Sequence, residues 1–294
     1  GVKRVMTLML PAIFGSSVAQ VNVLIGGIIA SMLGVGKISL LYYSDRLMEF
    51  PLGLFGIALA TVTLPYLSRQ WSNKAYDDFS ATLDWSMKLV LLIAVPAALG
   101  LILLAEPLVA TIFYGGVFTG DDVRMTALAL QAFALGLVGF SYVKILAPAF
   151  FAREDTKTPV KIGLIALAVN FVLSVALAWY LTAIGFAGSH AGLALAISVA
   201  ALLNAALLYR GLLRDGVLRH SSGWGLLLLR SLAANAVMWG ILDRLDRPLA
   251  WWLDAGALDR AAWLGVSVLA GAGVYFGILF ALGLRSGQLG IRPH

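Results

Sequence analysis

Three charged residues stand directly before a long apolar segment that carries no charge. They are Asp45, Arg46 and Glu49, and the apolar segment comprises residues 51–67. On helical spacing Asp45 and Glu49 are i and i+4, and Arg46 and Glu49 are i and i+3, so the three side chains can share one face. Charges at the lip of a membrane helix are costly unless they pair or meet a charged ligand. Two interpretations stay open: an Arg46–Glu49 pair that marks the water interface, or a cluster that binds a charged substrate.

The sequence carries none of the residue patterns typical of an enzyme active site. It has no cysteine, which excludes disulfides, thiol nucleophiles and Cys-based metal sites. The only histidines, His190, His220 and His294, fall in predicted loops or at the tail. There is no HExxH, GxSxG or Walker A pattern. We therefore predict a protein that is not an enzyme and that does not hydrolyse ATP itself.

The composition indicates a protein that is built for a lipid solvent. Hydrophobic residues make up 61% of the 294 residues and charged residues 12%, whereas soluble domains average about 25% charged residues. The net charge of +6 does not form a patch for nucleic acid, because the basic residues lie between apolar segments. These basic residues are better interpreted as determinants of membrane topology.

The hydropathy pattern predicts an all-α, polytopic membrane bundle of about eight helices. No heptad seam and no β-strand alternation is visible. The chain begins with GVKRV, without an initiator Met or a signal-type segment, and we expect this start to be internal to a longer protein. The predicted spans cover residues 5–33, 50–67, 83–104, 123–146, 159–182, 191–213, 224–242 and 261–284.

Loops that are rich in Lys and Arg alternate with loops that are poor in them, and this alternation predicts the orientation of the chain in the membrane. Positive-inside topology places both ends of the chain and residues 153–159 in the cytoplasm, and Asp45, Arg46 and Glu49 on the outer side. The rich loops hold Lys3, Arg4, Arg69, Lys74, Lys88, Arg153, Lys157, Lys161, Arg210, Arg214, Arg219, Arg230, Arg285 and Arg292, and the poor ones Lys37, Arg46, Arg124, Arg244, Arg247 and Arg260.

Two segments resemble the signatures of the MurJ/MviN family of lipid II flippases, within the multidrug/oligosaccharidyl-lipid/polysaccharide exporter superfamily. They are YYSDRLMEFPLGLFGIALATVTLP at 42–65 and FFAREDTKTP at 150–159. Such proteins have about fourteen membrane helices, whereas this chain has room for roughly eight. The resemblance therefore implies the C-terminal half. Residues 1–213 would form the second lobe of a MATE-like transporter, and residues 214–294 an additional helix pair with a prenyl-tail groove.

The resemblance implies a flippase that moves lipid II, a polyprenyl pyrophosphate, across the membrane by alternating access. A pyrophosphate needs shielding from hydrocarbon, and the planar fork of an arginine can bind it in bidentate fashion. Arg46 matches the family's arginine, and Asp45 and Glu49 would orient it or form a gating salt bridge. Further arginines would come from the missing N-terminal half. Alternatives are a drug/cation antiporter or polysaccharide-lipid flippase of the same superfamily, and a non-transport membrane scaffold.

Other polar residues have weaker assignments. Arg153, Glu154 and Asp155 form either a cytoplasmic anchor with a helix start or an inner gate. Gln20 and Asn22 make interhelical hydrogen bonds or line a cavity. Positions comparable to a cation site that some family members use are Asn170 and Ser174, and the absence of a carboxylate argues against sodium there. We predict no cofactor, membrane lipids as partners, and coupling to the membrane potential or to a cation gradient.

Overall fold

The computed structural model of this chain describes residues 20, 24–53 and 58–283. Residues 24–32 are helical, and no strand occurs among the described residues, where an isolated bridge joins Gly115 and Phe118. The all-α prediction is confirmed. The helices that follow are α1 Lys37–Pro51, α2 Ala58–Ser72, α3 Tyr76–Leu103, α4 Ala105–Phe113, α5 Gly120–Phe151, α6 Lys157–Ala183, α7 Ala191–Arg214, α8 Trp224–Leu245, α9 Leu249–Asp254 and α10 Ala257–Ala281.

Six helices of the described chain are long and apolar enough to cross a membrane: α3, α5, α6, α7, α8 and α10. They correspond to the last six predicted spans. Several of them begin earlier than predicted, because polar first turns such as Tyr76–Ser80 are still helical. The first predicted span lies largely outside the described residues, and so does Asn22.

The second predicted span, 50–67, is described at both of its ends, whereas residues 54–57 lie outside the described residues. Its first two residues end α1, and its last ten belong to α2, whose described part begins at Ala58. Pro51 has no N–H to donate to Leu47, which weakens the helix at this point, although Leu52 keeps right-handed helical dihedral angles. A hydropathy window misses α1 because three charged residues in its second half lower the mean.

The central helix of the lobe is α5, which packs against α1, α2, α3, α4 and α7. Its glycines allow α7 to approach closely. A Cβ atom at Gly136 would lie 2.6 Å from Ser198 Cα, and one at Gly139 would lie 2.7 Å from Leu202 N. Ser198 Oγ donates a hydrogen bond to Ala132 O at 2.7 Å across the same contact. The α5–α7 pair is therefore held at backbone contact distance, as is typical of small-residue crossings in membranes.

The last helix pair, α8 and α10, packs together and against α3. Pro96 lies inside α3 and cannot donate to Leu92 O, its partner in an uninterrupted helix. Tyr275 of α10 supplies the missing donor, since its hydroxyl lies 2.8 Å from Leu92 O. Met238, Leu242 and Leu279 are buried around this contact. The pair is thus attached to the lobe at the proline of α3.

The loops of the described chain gather at two opposite ends of the bundle. At one end, Lys37 Nζ donates to Ala187 O at 2.9 Å. At the other, Arg153 pairs with Asp215 at 2.9 Å. We refer to these as the Lys37 end and the Arg153 end. Most of the described basic residues lie toward the Arg153 end, so the alternation read from the sequence corresponds to two ends of one bundle. The cytoplasmic assignment of the Arg153 end stays a prediction.

Candidate functional site

One face of α1 packs against the central helix of the lobe. Its buried residues are Leu40, Ser44 and Met48, which recur every four positions. Ser44 Oγ lies 2.8 Å from Leu40 O and 2.8 Å from Thr126 O, so its hydroxyl connects α1 to α5. This packing fixes the rotation of α1 and therefore the direction of its other face.

The opposite face of α1 carries the charged cluster predicted from the sequence. Arg46 Nη1 lies 2.6 Å from Glu49 Oε2, and the two side chains are 53% and 50% exposed. The guanidinium carbon also lies 4.8 Å from the ring centroid of Tyr42, one helical turn earlier. Asp45 is partly buried beside this pair. The predicted i, i+3 contact is confirmed, and the arginine is held by a carboxylate and an aromatic ring.

The charged cluster lies beyond the first two turns of α1. Arg46 comes nine residues after Lys37, which is about 13.5 Å along the helix axis. Its helical neighbour Ser44 contacts Thr126, in the second turn of α5. The helix that carries the cluster begins at Lys37, earlier than the predicted start at residue 50. The position of the cluster relative to the membrane surface stays a prediction.

The loop after α5 makes contacts with the ends of α2 and α7. Arg153 Nη2 pairs with Asp215 Oδ2, and its guanidinium carbon lies 5.3 Å from the Trp71 ring centroid. The Nε and Nη1 atoms of Arg153 are buried and have no hydrogen-bond partner. Asp155 Oδ1 accepts a hydrogen bond from Thr158 N at 3.0 Å, which confirms the helix-start interpretation for Asp155. Glu154 has a φ of 60°. The role of this loop as an inner gate stays a prediction.

The remaining predicted polar residues are only partly brought together. Asn170 and Ser174 are buried in α6, and Ser174 Oγ lies 3.4 Å from Asn170 Oδ1. Gln20 is exposed. Within the described ranges, no three His, Asp or Glu side chains form a group that could hold a metal ion.

A buried polar cluster at the Arg153 end was missed in the sequence. Asp84 is 2% exposed and accepts hydrogen bonds from Ser221 Oγ at 2.5 Å and from Trp224 Nε1 at 2.7 Å. His220 Nδ1 lies 3.1 Å from the same carboxylate, and Lys88 Nζ lies 3.0 Å from it. The signal was present, since Asp84 and Lys88 are i and i+4 inside an apolar segment, where paired charges indicate a built feature.

Comparison with known sequences identifies the relatives of this chain. A family model described as lipid II flippase MurJ matches residues 1–246. A probable lipid II flippase MurJ from Vibrio cholerae is 46% identical over 288 residues, which cover 97% of this chain and 53% of that protein. Lipid II flippase MurJ from Burkholderia cenocepacia is 41% identical over 286 residues, covering 97% and 54%. The chain thus spans about half the length of the curated relatives it matches.

Solved structures share this fold. A lipid II flippase MurJ in an inward closed conformation gives a TM-score of 0.74 at 24% identity, over 92% of this chain and 52% of that chain. An outward-facing multidrug resistance transporter of the MATE family gives 0.62 at 14% identity, over 95% and 67%. At these identities the structures establish only the fold that this chain shares with part of each of them, whereas the family follows from the sequence matches. The chain belongs to the lipid II flippase MurJ family.

Proposed function

We propose that this chain is the C-terminal lobe of a flippase that moves lipid II from the inner to the outer leaflet of the cytoplasmic membrane for peptidoglycan synthesis. The observation that carries the proposal is the exposed Arg46–Glu49 pair, about 13.5 Å along α1 from its first residue. The relatives at 41–46% identity whose names state lipid II flippase support the same reading.

An exposed guanidinium at this depth requires a polar environment. Arg46 and Glu49 lie on the face of α1 that points away from α5, and both are half exposed. Hydrocarbon beside such a face would be costly, so the face lines a hydrated cavity that the other half of the protein completes. This cavity is where a charged lipid headgroup can pass while its apolar tail stays outside.

The contacts of Arg46 suit a pyrophosphate. One carboxylate oxygen of Glu49 holds Nη1, and Tyr42 covers the guanidinium from one side. A pyrophosphate offers several oxygens that match the planar fork of an arginine, and it carries more charge than one carboxylate. Binding therefore exchanges the Arg46–Glu49 pair for an Arg46–phosphate contact. Asp45 and Glu49 hold the guanidinium in position when the substrate is absent.

We propose that the energy for transport comes from outside this chain. Its sequence contains no phosphate-binding loop, and we propose coupling to the membrane potential or to a cation gradient. Residues 1–213 form the second lobe of the transporter core. Residues 214–294 form the additional pair, whose outward apolar side chains, among them Leu229, Leu269 and Phe280, offer a surface for the prenyl tail.

The test is an accessibility assay for lipid II with the full-length protein. Cells depleted of the protein should accumulate lipid II that an impermeant reagent added outside cannot reach, and re-expression should restore access. Purified full-length protein in vesicles should give the same result with lipid II alone. Vesicles that contain the protein and leave lipid II inaccessible would refute the proposal.

A further inference from the structure

A cavity of about 740 Å³ opens near the Arg153 end of the lobe. One wall is formed by α5 and α7, and the other by residues 220–225 at the start of α8. Val138, Leu146, Leu202 and Ala205 make the first wall apolar. The volume is within the range of sites that bind small molecules. Ala206 and Gly225 line the cavity and are themselves exposed, so the cavity opens on the bundle surface between α7 and α8.

Polar groups are concentrated at one end of this cavity. Tyr209, His220, Ser221 and Trp224 line it, and they are connected through hydrogen bonds. The Tyr209 hydroxyl lies 2.6 Å from His220 Nε2, and His220 and Ser221 both contact Asp84. The ammonium group of Lys88 donates to Ser221 Oγ and lies 5.5 Å from the Trp224 ring centroid. An apolar space therefore ends at several hydrogen-bonding groups, and behind them Lys88 is paired with Asp84 at 3.0 Å.

The cavity and the Arg46 site lie on different sides of the lobe. Thr126 of α5 faces α1, whereas Gly139 and Tyr142 of α5 face the cavity. At 100° per residue, Tyr142 is rotated by about 160° from Thr126 around the axis of α5. Because Arg46 points away from α5, the central helix and α1 both stand between the guanidinium and the cavity. The cavity is therefore not part of the proposed substrate site.

We propose that this cavity binds one acyl chain of a glycerophospholipid of the surrounding bilayer, with the phosphodiester of that lipid at the polar end of the cavity, beside Tyr209 and Ser221. The apolar walls of α5 and α7 suit an acyl chain, and the opening between two membrane-spanning helices gives access from the bilayer. The Lys88–Asp84 pair carries no net charge, so the cations that complement the phosphodiester are the exposed Arg210 and Arg214, which follow Tyr209 along α7 at this end. The proposal does not depend on which lipid the protein transports.

Gly225 and Gly240 provide a matched pair of variants for the test. Both are in α8, and a Cβ atom at either position would meet no atom within 4 Å. Gly225 lines the cavity and Gly240 does not. Gly225→Leu should therefore fill the opening, whereas Gly240→Leu adds the same side chain elsewhere on the same helix. Ala206→Leu fills the opening from the opposite wall.

The experiment uses full-length protein in vesicles of phosphatidylethanolamine and phosphatidylglycerol, with a phosphatidylglycerol that carries a diazirine on one acyl chain. After irradiation, mass spectrometry of peptides should place label on α7 and on the first turns of α8. We expect about tenfold less label at these peptides in Gly225→Leu and Ala206→Leu, because the leucine occupies the space of the chain. Gly240→Leu should be labelled like the parent protein.

Two results would overturn the proposal. One is undiminished labelling of these peptides in both cavity-filling variants. The other is displacement of the phospholipid label by a polyprenyl phosphate at equal concentration, which would make the cavity a tail site for the transported lipid. Monodispersity in gel filtration establishes that each variant is folded. If one filling variant does not accumulate, the variant on the opposite wall decides the question.

Discussion

Arg46 is held by the Glu49 carboxylate and the Tyr42 ring, and an anionic ligand can take the place of the carboxylate. We expect Arg46→Ala to bind lipid II roughly ten- to hundredfold more weakly, because a charged hydrogen-bonding partner of the pyrophosphate is lost. Arg46→Lys should be partly defective, since an ammonium cannot donate in bidentate fashion. The measurement is growth of a strain depleted of the parent protein. Arg244→Ala, an exposed arginine at the end of α8, is the control, and normal growth of Arg46→Ala would remove Arg46 from the mechanism.

His190 predicts how stability depends on pH. Its ring is fully buried in the loop before α7, with Nε2 3.0 Å from Met125 O and no partner for Nδ1. Burial, opposed by the Met125 contact and aided by the Lys37 charge, lowers the pKa of His190 below its usual value of 6.5. As the pH falls below about 6.5, the unfolded chain takes up a proton that the folded chain does not, so the free energy of unfolding decreases.

Thermal unfolding in detergent between about pH 8 and about pH 5 tests this effect. The parent protein should lose stability on acidification, down to the lowered pKa of His190, and then show no further loss from this group. His190→Gln keeps a side-chain donor for Met125 O but does not titrate, so its loss should be smaller. Equal losses in the two proteins would show that His190 is not the group responsible.

At this scale, sequence reasoning found the residues whose partners are close along the chain. The Arg46–Glu49 contact follows from i, i+3 spacing, and the contact between Asp155 and Thr158 follows from their positions at a helix start. The partners of Asp84 that are far along the chain, Ser221 and Trp224, could not be found in this way, whereas its i, i+4 partner Lys88 was visible in the sequence and was overlooked. A single sequence gives no information on which distant segments meet.

At the scale of helices, α10 completes a hydrogen bond that Pro96 interrupts in α3. We expect Tyr275→Phe to lower the free energy of unfolding by about 1–3 kcal/mol, because Leu92 O is left buried without a donor. Pro96→Ala restores an N–H to that carbonyl. Tyr275→Phe should therefore cost less in the Pro96→Ala background, and a double-mutant cycle measures the difference. Additive effects would mean that the hydroxyl does not compensate for the proline.

The α5–α7 crossing gives a second test at this scale. A Cβ atom at Gly139 would approach Leu202 N to 2.7 Å, whereas one at Gly163 in α6 would meet nothing within 4 Å. Gly139→Ala should destabilise the protein by about 1–3 kcal/mol through overpacking. Gly163→Ala should be neutral or stabilising by up to about 1 kcal/mol, because alanine favours helix. Thermal unfolding of both variants measures these changes in stability. Equal changes in Gly139→Ala and Gly163→Ala would contradict the close crossing of α5 and α7.

Hydropathy predicted the six long helices because each has an apolar window long enough to cross a membrane. It failed for α1, where Asp45, Arg46 and Glu49 reduce the mean although the helix is packed against α5 through Leu40, Ser44 and Met48. A helix that faces a polar cavity on one side and a packed core on the other is not recognised by a window that averages both faces. The helix that carries the proposed substrate site is therefore the one that a hydropathy window misses.

The whole molecule is a multi-pass protein of the inner membrane, and its two ends predict a labelling pattern. Ala187 is exposed at the Lys37 end and Ser222 at the Arg153 end, and the chain has no cysteine of its own. Ala187→Cys should react with an impermeant thiol reagent added to intact cells, whereas Ser222→Cys should react only after permeabilisation. Full-length protein without other cysteines is the background, and the reverse pattern would invert the orientation of Arg46.

The two attachments of α3 to the last part of the described chain limit how α8 and α10 can move. Asp84 holds residues 220–224, and Leu92 O holds Tyr275, at points about 12 Å apart along one helix. Because the α8–α10 pair is attached to α3 at two separated points, the pair cannot rotate independently of α3. In the proposed transport cycle, a movement of α3 would therefore also move α8 and α10, and these last two long helices would transmit the movement to the surrounding lipids.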